Sequence, residues 1–365
     1  MSGSSIQLEL EGQRQKVDVE HVDMTVRELI RMSSEGELIR APEYQRKFRW
    51  NDENESKLIE SIFLGLPVPA IYVAANKDGT WELVDGLQRV STLIHFAAGP
   101  GEDALLTSIG RPSHLRLTKL EKLRGFNDMH FSDLPMPMQL SFMKRMLRVT
   151  ALSDKSDREV RYDLFERLNT GGVALSAQEV RACVYKGKFK DVVEELAGRD
   201  DFGSLLKLQK KRQSDGTREE QVLKFFAYLR NRGEFNGKVK DFLNRFAELM
   251  SEREDFSNES DLFVSTVSLL RSAMVGPVLR AGVHTTPLNQ FEAIMVAAGE
   301  LIESGVTTFQ PREGWLSDRR LVEASTGATN TRAMLAARIE RAAELLNGAA
   351  VDAMPESTAD VQSVS

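Results

Sequence analysis

The chain offers almost no sulfur chemistry. Its one cysteine, Cys183, excludes an internal disulfide and a multi-thiolate zinc site. Long apolar runs are missing too. Stretches such as Val68–Ala75 fall far short of the roughly 20 residues that span a bilayer, so no membrane segment is expected. The opening MSGSSIQLELEGQRQ lacks a basic region followed by an apolar one. No secretory leader is expected there, and the chain reads as cytoplasmic. Nor is positive charge in excess: 48 Lys+Arg stand against 54 Asp+Glu, a net charge of −6. That balance argues against a surface coated in basic residues for non-specific nucleic-acid binding, and leaves room for a local basic groove.

What is present suffices for a large core. With 365 residues and 41% hydrophobic side chains, the chain is long enough for about two domains at roughly 150 residues each. Its texture changes near residue 185. Before that point, β-like runs alternate with helical segments. Leu66–Ala75 and Thr80–Val84 are rich in β-branched and aromatic residues, and Asn76–Gly79 between them has turn chemistry, which predicts a β-hairpin. Arg145–Leu152 is a third strand candidate, although its first half also reads as helix. Helices are predicted over Asp52–Leu64, Val90–Ala98, Asp157–Leu168 and Ser176–Tyr185, the last opened by the capping box Ser176/Glu179.

Beyond residue 185 strand signals nearly vanish. Val222, Phe225, Phe226 and Leu229 recur at helical spacing, as do Phe242, Phe246 and Leu249, and Leu335, Ile339, Ala342 and Leu346. Phe263–Leu279 and Phe291–Ile302 are further apolar helix candidates. These stripes are the packing faces of a helical bundle. The fold class is therefore α+β, a mixed α/β core followed by helices. The expected division is an N-terminal segment (1–24), an α/β core (25–185), a helical domain (186–348) and a disordered tail (349–365). Thr107–His130 stays ambiguous, an inserted loop with helical pieces.

Polar chemistry concentrates in three short segments. The first is Pro42–Trp50, in which Tyr44, Phe48 and Trp50 alternate with Gln45, Lys47 and Arg49. Alone it reads as an edge strand with inward aromatics. The second, Asp85-Gly86-Leu87-Gln88-Arg89, lies between a β-like run and a helix. Gly86 permits a tight turn, and the first turn of the helix offers unpaired N–H groups to an anion. Arg89 suits phosphate oxygens, Asp85 could hold a divalent cation or take a proton, and Gln88 could orient a water. The bland alternative is a common Asp-Gly turn with a neighbouring ion pair. The third segment, Leu164–Ser176, ends a helix with Asn169-Thr170-Gly171-Gly172 and starts another at Ser176.

Together and in this order, these segments resemble the N-terminal domain family of GmrSD-type modification-dependent restriction enzymes. The family pattern runs from an aromatic YQR segment ending in Trp, through DGQQR opening a helix, to an F-x-R-L-N-x-G-G segment. Here these are Tyr44–Trp50, Asp85–Arg89 and Phe165–Leu175, and Arg218–Phe226 resembles the family's helical region. The resemblance implies a ParB/sulfiredoxin-like core and nucleotide-dependent action in antiviral defence against foreign DNA. Carried over by position, it makes Asp85, Gln88 and Arg89 the catalytic set for NTP hydrolysis, with Asp85 holding Mg²⁺. Gln45, Arg46, Gly86 and Asn169 become contacts to the nucleoside triphosphate. Leu87 departs from the pattern, standing where the family has a first Gln, which puts hydrolysis rather than binding in doubt.

Enzymes of this type combine the domain with an HNH nuclease, which needs His and Asn around a metal. The five histidines, His21, His95, His114, His130 and His284, form no such pair, and the expectation is that the nuclease domain is absent, so that either a separate subunit supplies it or this chain works without it. DNA would contact the basic cluster Lys207, Lys210, Lys211 and Arg212, or a second one of Arg111, Arg116, Lys119, Lys122 and Arg124. Lys207–Arg218 also reads as a mobile loop. The expected function is an NTP-hydrolysing component of a DNA-restriction system. The alternatives are a non-hydrolysing DNA-specificity subunit working with a separate nuclease, and a ParB-like nickase using Asp85 and Glu43.

Overall fold

A computed structural model describes residues 7, 11, 18–40, 50–76, 78–99, 101–153, 158–168, 176–327 and 329–352. By contacts the chain divides into two units, residues 1–175 and 176–365.

The first unit is built on a five-stranded mixed sheet of order β1-β5-β3-β4-β2. Its strands are β1 (Val19–Thr25), β2 (Leu38–Ile39), β3 (Ile71–Ala75), β4 (Trp81–Asp85) and β5 (Met146–Leu152). The expected hairpin is present as the antiparallel β3–β4 pair. Its first strand begins only at Ile71 because Pro67 and Pro69 remove ladder donors from the preceding run. Arg145–Leu152 resolves as strand, parallel to β3 and antiparallel to β1. No sequence signal marked β1, whose central residues face solvent and which pairs only at the sheet edge with β5.

Helices α1 (Val26–Ser34), α2 (Asp52–Leu64), α3 (Leu87–Ala97), α4 (Asp103–Ser108), α5 (Met136–Met143) and α6 (Arg158–Leu168) complete this unit. Asn51 caps α2 by accepting the Asn54 N–H, and Gly65 closes it with φ +71°. In α3 every residue from Val90 to Ala97 is buried, which makes it the central helix of a core shared with Ile59, Ile62, Ile71, Val73, Leu83 and Val149. The ambiguous stretch 107–130 begins with the last two residues of α4 and contributes Leu115, Leu117 and Leu120 to the same core, with one further short 3-10 turn at Arg124–Phe126.

The second unit is helical: α7 (Ala177–Val184), α8 (Lys188–Gly198), α9 (Asp200–Ser204), α10 (Thr217–Asn231), α11 (Val239–Met250), α12 (Ser257–Ala273), α13 (Leu288–Glu303), α14 (Arg319–Ser325) and α15 (Arg332–Leu346). The Ser176/Glu179 capping box forms as expected. Helices α10 and α13 run through the middle, buried continuously over Gln221–Tyr228 and Gln290–Gly299. Gly299 lets them approach: a Cβ there would meet Phe225 at 2.9 Å. Two expectations need correction. Leu249 is exposed rather than on the packing face of α11. The helix expected to reach Leu279 stops at Ala273, ahead of Gly276 and Pro277, a pair that cannot continue it. Of the expected tail, Asp352 is held: its carbonyl accepts the Arg319 N–H, and its own N–H donates to Asp318. Residues 353–365 lie outside the described residues.

Candidate functional site

The antiparallel pairing of β3 and β4 places Asp85 opposite Tyr72, so the chain leaving β4 turns beside the start of β3. Gly86 makes that turn with φ +116°, a conformation side chains rarely adopt. A Cβ on it would lie 3.2 Å and 3.3 Å from two carbons of Ile71 and 3.4 Å from Arg89 Nη2. Glycine is thus favoured by the positive φ, and a Cβ would also press on Ile71. It is also the N-cap of α3, with no side chain capping the first turn, so the positive end of a buried helix opens at this point.

Arg89 folds back across the turn. Its Nη2 donates to Asp85 Oδ2 at 2.8 Å and to the Ala70 carbonyl at 3.2 Å. Its Nε is buried with no hydrogen-bond partner among the described residues. Asp85 and Arg89 are partly exposed, with 25% and 14% of their side-chain surfaces accessible, so the pair is held by the fold yet reachable. Leu87 packs against the apolar core of the unit.

Gln88 has a different placement from that of a residue turned wholly to a ligand. Its Oε1 accepts the Trp50 N–H at 3.1 Å, so this oxygen ties the end of the aromatic segment to the turn. The Trp50 carbonyl in turn accepts from Arg111 Nη2 at 2.5 Å, and the same nitrogen lies 3.3 Å from Glu55 Oε1. Glu55 Oε2 is 2.6 Å from His95 Nδ1. Burial pushes the Glu55 carboxyl above its ordinary pKa, with His95 and Arg111 pulling the other way. None of Glu55, His95 and Arg111 was singled out for the site from sequence. The one available signal was a histidine on the apolar face of α3, which has to find polar partners once buried.

Gln45, Arg46, Glu43 and Asn169 lie outside the described residues. Phe165 is buried in α6, where Arg161 reaches the Ala75 carbonyl at 3.4 Å. Glu179 and Arg181 serve the helical unit: Glu179 completes the capping box, and the buried Arg181 donates to Asn244 and Gln178.

The two basic clusters differ. Arg111, Arg116 and Lys119 are paired with Glu55, Asp128 and Glu53. Two lysines, Lys119 and Lys57, hold the Glu53 carboxyl down to about 2. Lys207, Lys210, Lys211 and Arg212 are exposed, the last three on a 3-10 turn spanning Lys210–Gln213. Among the described residues Lys207, Lys210 and Lys211 have no ion-pair partner. The stretch expected as a mobile loop is fastened at one end, where Lys207 and Thr286 exchange two hydrogen bonds.

Among the described residues no group of three or more His, Cys, Asp and Glu side chains is arranged to hold a metal, and no helix is long and apolar enough to cross a membrane.

The mixed sheet and its glycine-hinged, charged strand–turn–helix junction define an α/β domain with a polar turn at the end of a buried helix. Residues 26–186 match the family model described as GmrSD restriction endonuclease, N-terminal domain, and the chain carries a domain of that family. No curated protein matches the chain in a sequence comparison.

Proposed function

We propose that this protein is a nucleotide-binding, NTP-hydrolysing component of a DNA-restriction and anti-phage system. The GmrSD-type domain supports the setting, a restriction system that acts on DNA. The junction Asp85–Arg89 supports the chemistry, and the observation carrying it is the Nε of Arg89, buried and without a partner among the described residues, beside an uncapped helix start. Such an arrangement suits phosphate oxygens, which accept several donors at once.

In the reaction, water oxygen bonds to the γ-phosphorus as the bond to the β–γ bridging oxygen breaks, giving nucleoside diphosphate and inorganic phosphate. Arg89 and the first-turn N–H groups of α3 offset the charge that gathers on the phosphoryl oxygens. Gly86 lets the phosphates approach the backbone. Gln88 and Trp50 hold the turn, with Gln45, Arg46 and Asn169 as further nucleotide contacts. A single carboxylate with substrate phosphates is a common donor set for Mg²⁺. Asp85 fits that part, and the ion would supply positive charge next to the phosphates.

Phosphate release from NTPs with Mg²⁺, measured on the full chain, tests this. Release by the wild type that disappears in Asp85→Ala is the expected result. No release from any NTP by the wild type would end the hydrolase reading.

A second reading has its own observation. The exposed Lys207, Lys210 and Lys211, without carboxylate partners among the described residues, suit a DNA backbone. In that reading the chain is a DNA-specificity subunit whose nucleotide pocket does not hydrolyse, acting with a separate nuclease. DNA binding that survives Asp85→Ala but not charge reversal at Lys210 and Lys211 favours it.

A further inference from the structure

The DGLQR turn is connected to buried polar groups that the hydrolysis scheme leaves without a task. From the turn inwards the order is Gln88, the Trp50 peptide, Arg111, Glu55, His95 and the Ser113 carbonyl. The contacts are 3.1, 2.5, 3.3, 2.6 and 2.9 Å in that order. Glu55 is wholly buried and His95 is 4% exposed. Burying two ionisable groups in the centre of an apolar core is unfavourable, and apolar residues of similar volume would fill the space at least as well. The chain leads to a place where two of the sequence motifs meet, because Trp50 closes the aromatic segment and Gln88 belongs to the turn.

We propose that His95, Glu55 and Arg111 are positioning residues that hold the Trp50 peptide, and through it Gln88, in register with the Asp85–Arg89 pair. We infer further that one proton shared between His95 and Glu55 keeps this relay closed. The role in turnover rests on the hydrolase reading, whereas the placement of Trp50 does not.

The proton follows from valence. The Ser113 carbonyl only accepts, so His95 Nε2 carries a hydrogen. The 2.6 Å contact on the other side then needs a second hydrogen, on Nδ1 facing a carboxylate or on Glu55 facing the ring nitrogen. Without it two lone pairs would oppose each other. Burial favours retention of that proton on the Glu55 side, and the other charged groups acting on Glu55 are Arg111, which favours the ionised form, and Asp52, which opposes it. Raising the pH far enough to remove the proton opens the link between α2 and α3, so the relay is closed on the acid side and open on the alkaline side.

Glutamine at position 55 separates these ideas. Its amide N–H can donate to Nδ1 of neutral His95 while its carbonyl still accepts from Arg111, so it rebuilds both contacts without a proton to lose. Alanine rebuilds neither.

The test uses the full chain with ¹⁵N-labelled tryptophan, in which Trp50 is one of three tryptophans. The readout is exchange of the Trp50 amide relative to Trp81 and Trp315. Outer-shell partners of a site typically change its function by about 10–100-fold. In Glu55→Ala and Arg111→Ala, Trp50 exchange should rise about 10-fold relative to the other two amides, and kcat should fall by about 10-fold with KM nearly unchanged. Glu55→Gln should keep wild-type exchange and kcat at neutral pH and lose the decline on the alkaline side. Arg111→Ala should add little in a Gln88→Ala background, because both act on one peptide. Exchange that rises equally at all three tryptophans, or at none, overturns the relay. Glu55→Gln behaving like Glu55→Ala, or keeping the alkaline decline, overturns the shared proton. A wild type that hydrolyses no NTP ends the hydrolase reading, and the exchange measurement still decides the relay.

Discussion

Arg89 in the α/β unit and Arg341 in the helical unit are both substantially buried guanidinium groups, and the two units use them differently. Arg341 is bonded all round: Nε and Nη2 fork onto Asp318 at 3.0 and 2.6 Å, Nη2 also reaches the Ala350 carbonyl, and Nη1 meets Glu344 at 2.6 Å. Asp318 is equally committed, accepting N–H groups from Leu321 and Asp352. Nearby, Arg338 and Glu292 pair at 2.6 Å in full burial, and Lys224 joins Glu292 to Glu220. Burial works against the Lys224 ammonium, but Glu292 and Glu220 outweigh it and hold its pKa above the ordinary lysine value. Arg89 instead keeps Nε unpartnered among the described residues, at the uncapped start of α3. Every guanidinium nitrogen of Arg341 is thus spent on protein, whereas Arg89 keeps one free among the described residues, as does Arg338 at its Nε.

The largest effect expected from this contrast is on stability in the helical unit. Removing one partner of a buried ion pair leaves a charge stranded, so Asp318→Ala should lower unfolding free energy by about 3–5 kcal/mol in chemical denaturation. The pH dependence follows with its sign. Burial alone would raise the Asp318 pKa, but Arg341 and two backbone N–H groups outweigh it and hold it below the ordinary value. Its stabilisation is therefore complete above the ordinary aspartate pKa and is lost as pH falls through the lower, folded-state value. Asp318→Asn should flatten that acid limb.

Arg89→Ala should show the opposite profile. NTP hydrolysis should fall by about 10²–10³-fold, as when a charge-stabilising donor is lost from an active site, with only a small change in thermal midpoint. A large loss of stability with proportionate loss of activity would erase the distinction between the two arginines. Gly86→Ala should come next, at about 1–3 kcal/mol from its positive φ, with added strain from the Ile71 contact, measured by denaturant midpoint. The smallest effect is expected at the exposed lysines. Lys210→Glu with Lys211→Glu should leave folding unchanged and lower the salt slope of DNA affinity by about 1 for each phosphate that is no longer neutralised.

Much of the fold could be read from local pattern. Helix α2 runs over the expected Asp52–Leu64, because Asn51 is a strong start signal and Gly65 a strong stop signal. The β3–β4 hairpin, β5 and the Ser176 capping box follow from residues close in sequence. The two strands that escaped notice, β1 and β2, depend on their partners. β1 is half polar and becomes a strand through pairing with β5, more than 120 residues later. β2 is two residues long and is defined by β4. Helix α3 begins at Leu87 rather than Val90 because Gly86, read as a turn, is also its N-cap.

The site divides in the same way. Asp85, Gly86, Gln88 and Arg89 could be picked out as candidates because four neighbours at a strand–helix junction carry their chemistry in their order, and the GmrSD-type domain likewise lay in short motifs whose order is linear. The sparse cysteine, the absence of long apolar runs and the near balance of charge also belong to composition alone. Only the tertiary structure decided which charges are spent on each other. It brought Trp50 to Gln88, Arg111 to Trp50 and Glu55 to His95 across separations of up to 61 residues. It also showed that one basic cluster is largely paired and that, among the described residues, Lys207, Lys210 and Lys211 in the other are not. The physical reason is that ionisation and hydrogen bonding of a buried group depend on what packs against it, and a linear sequence does not state its neighbours in space.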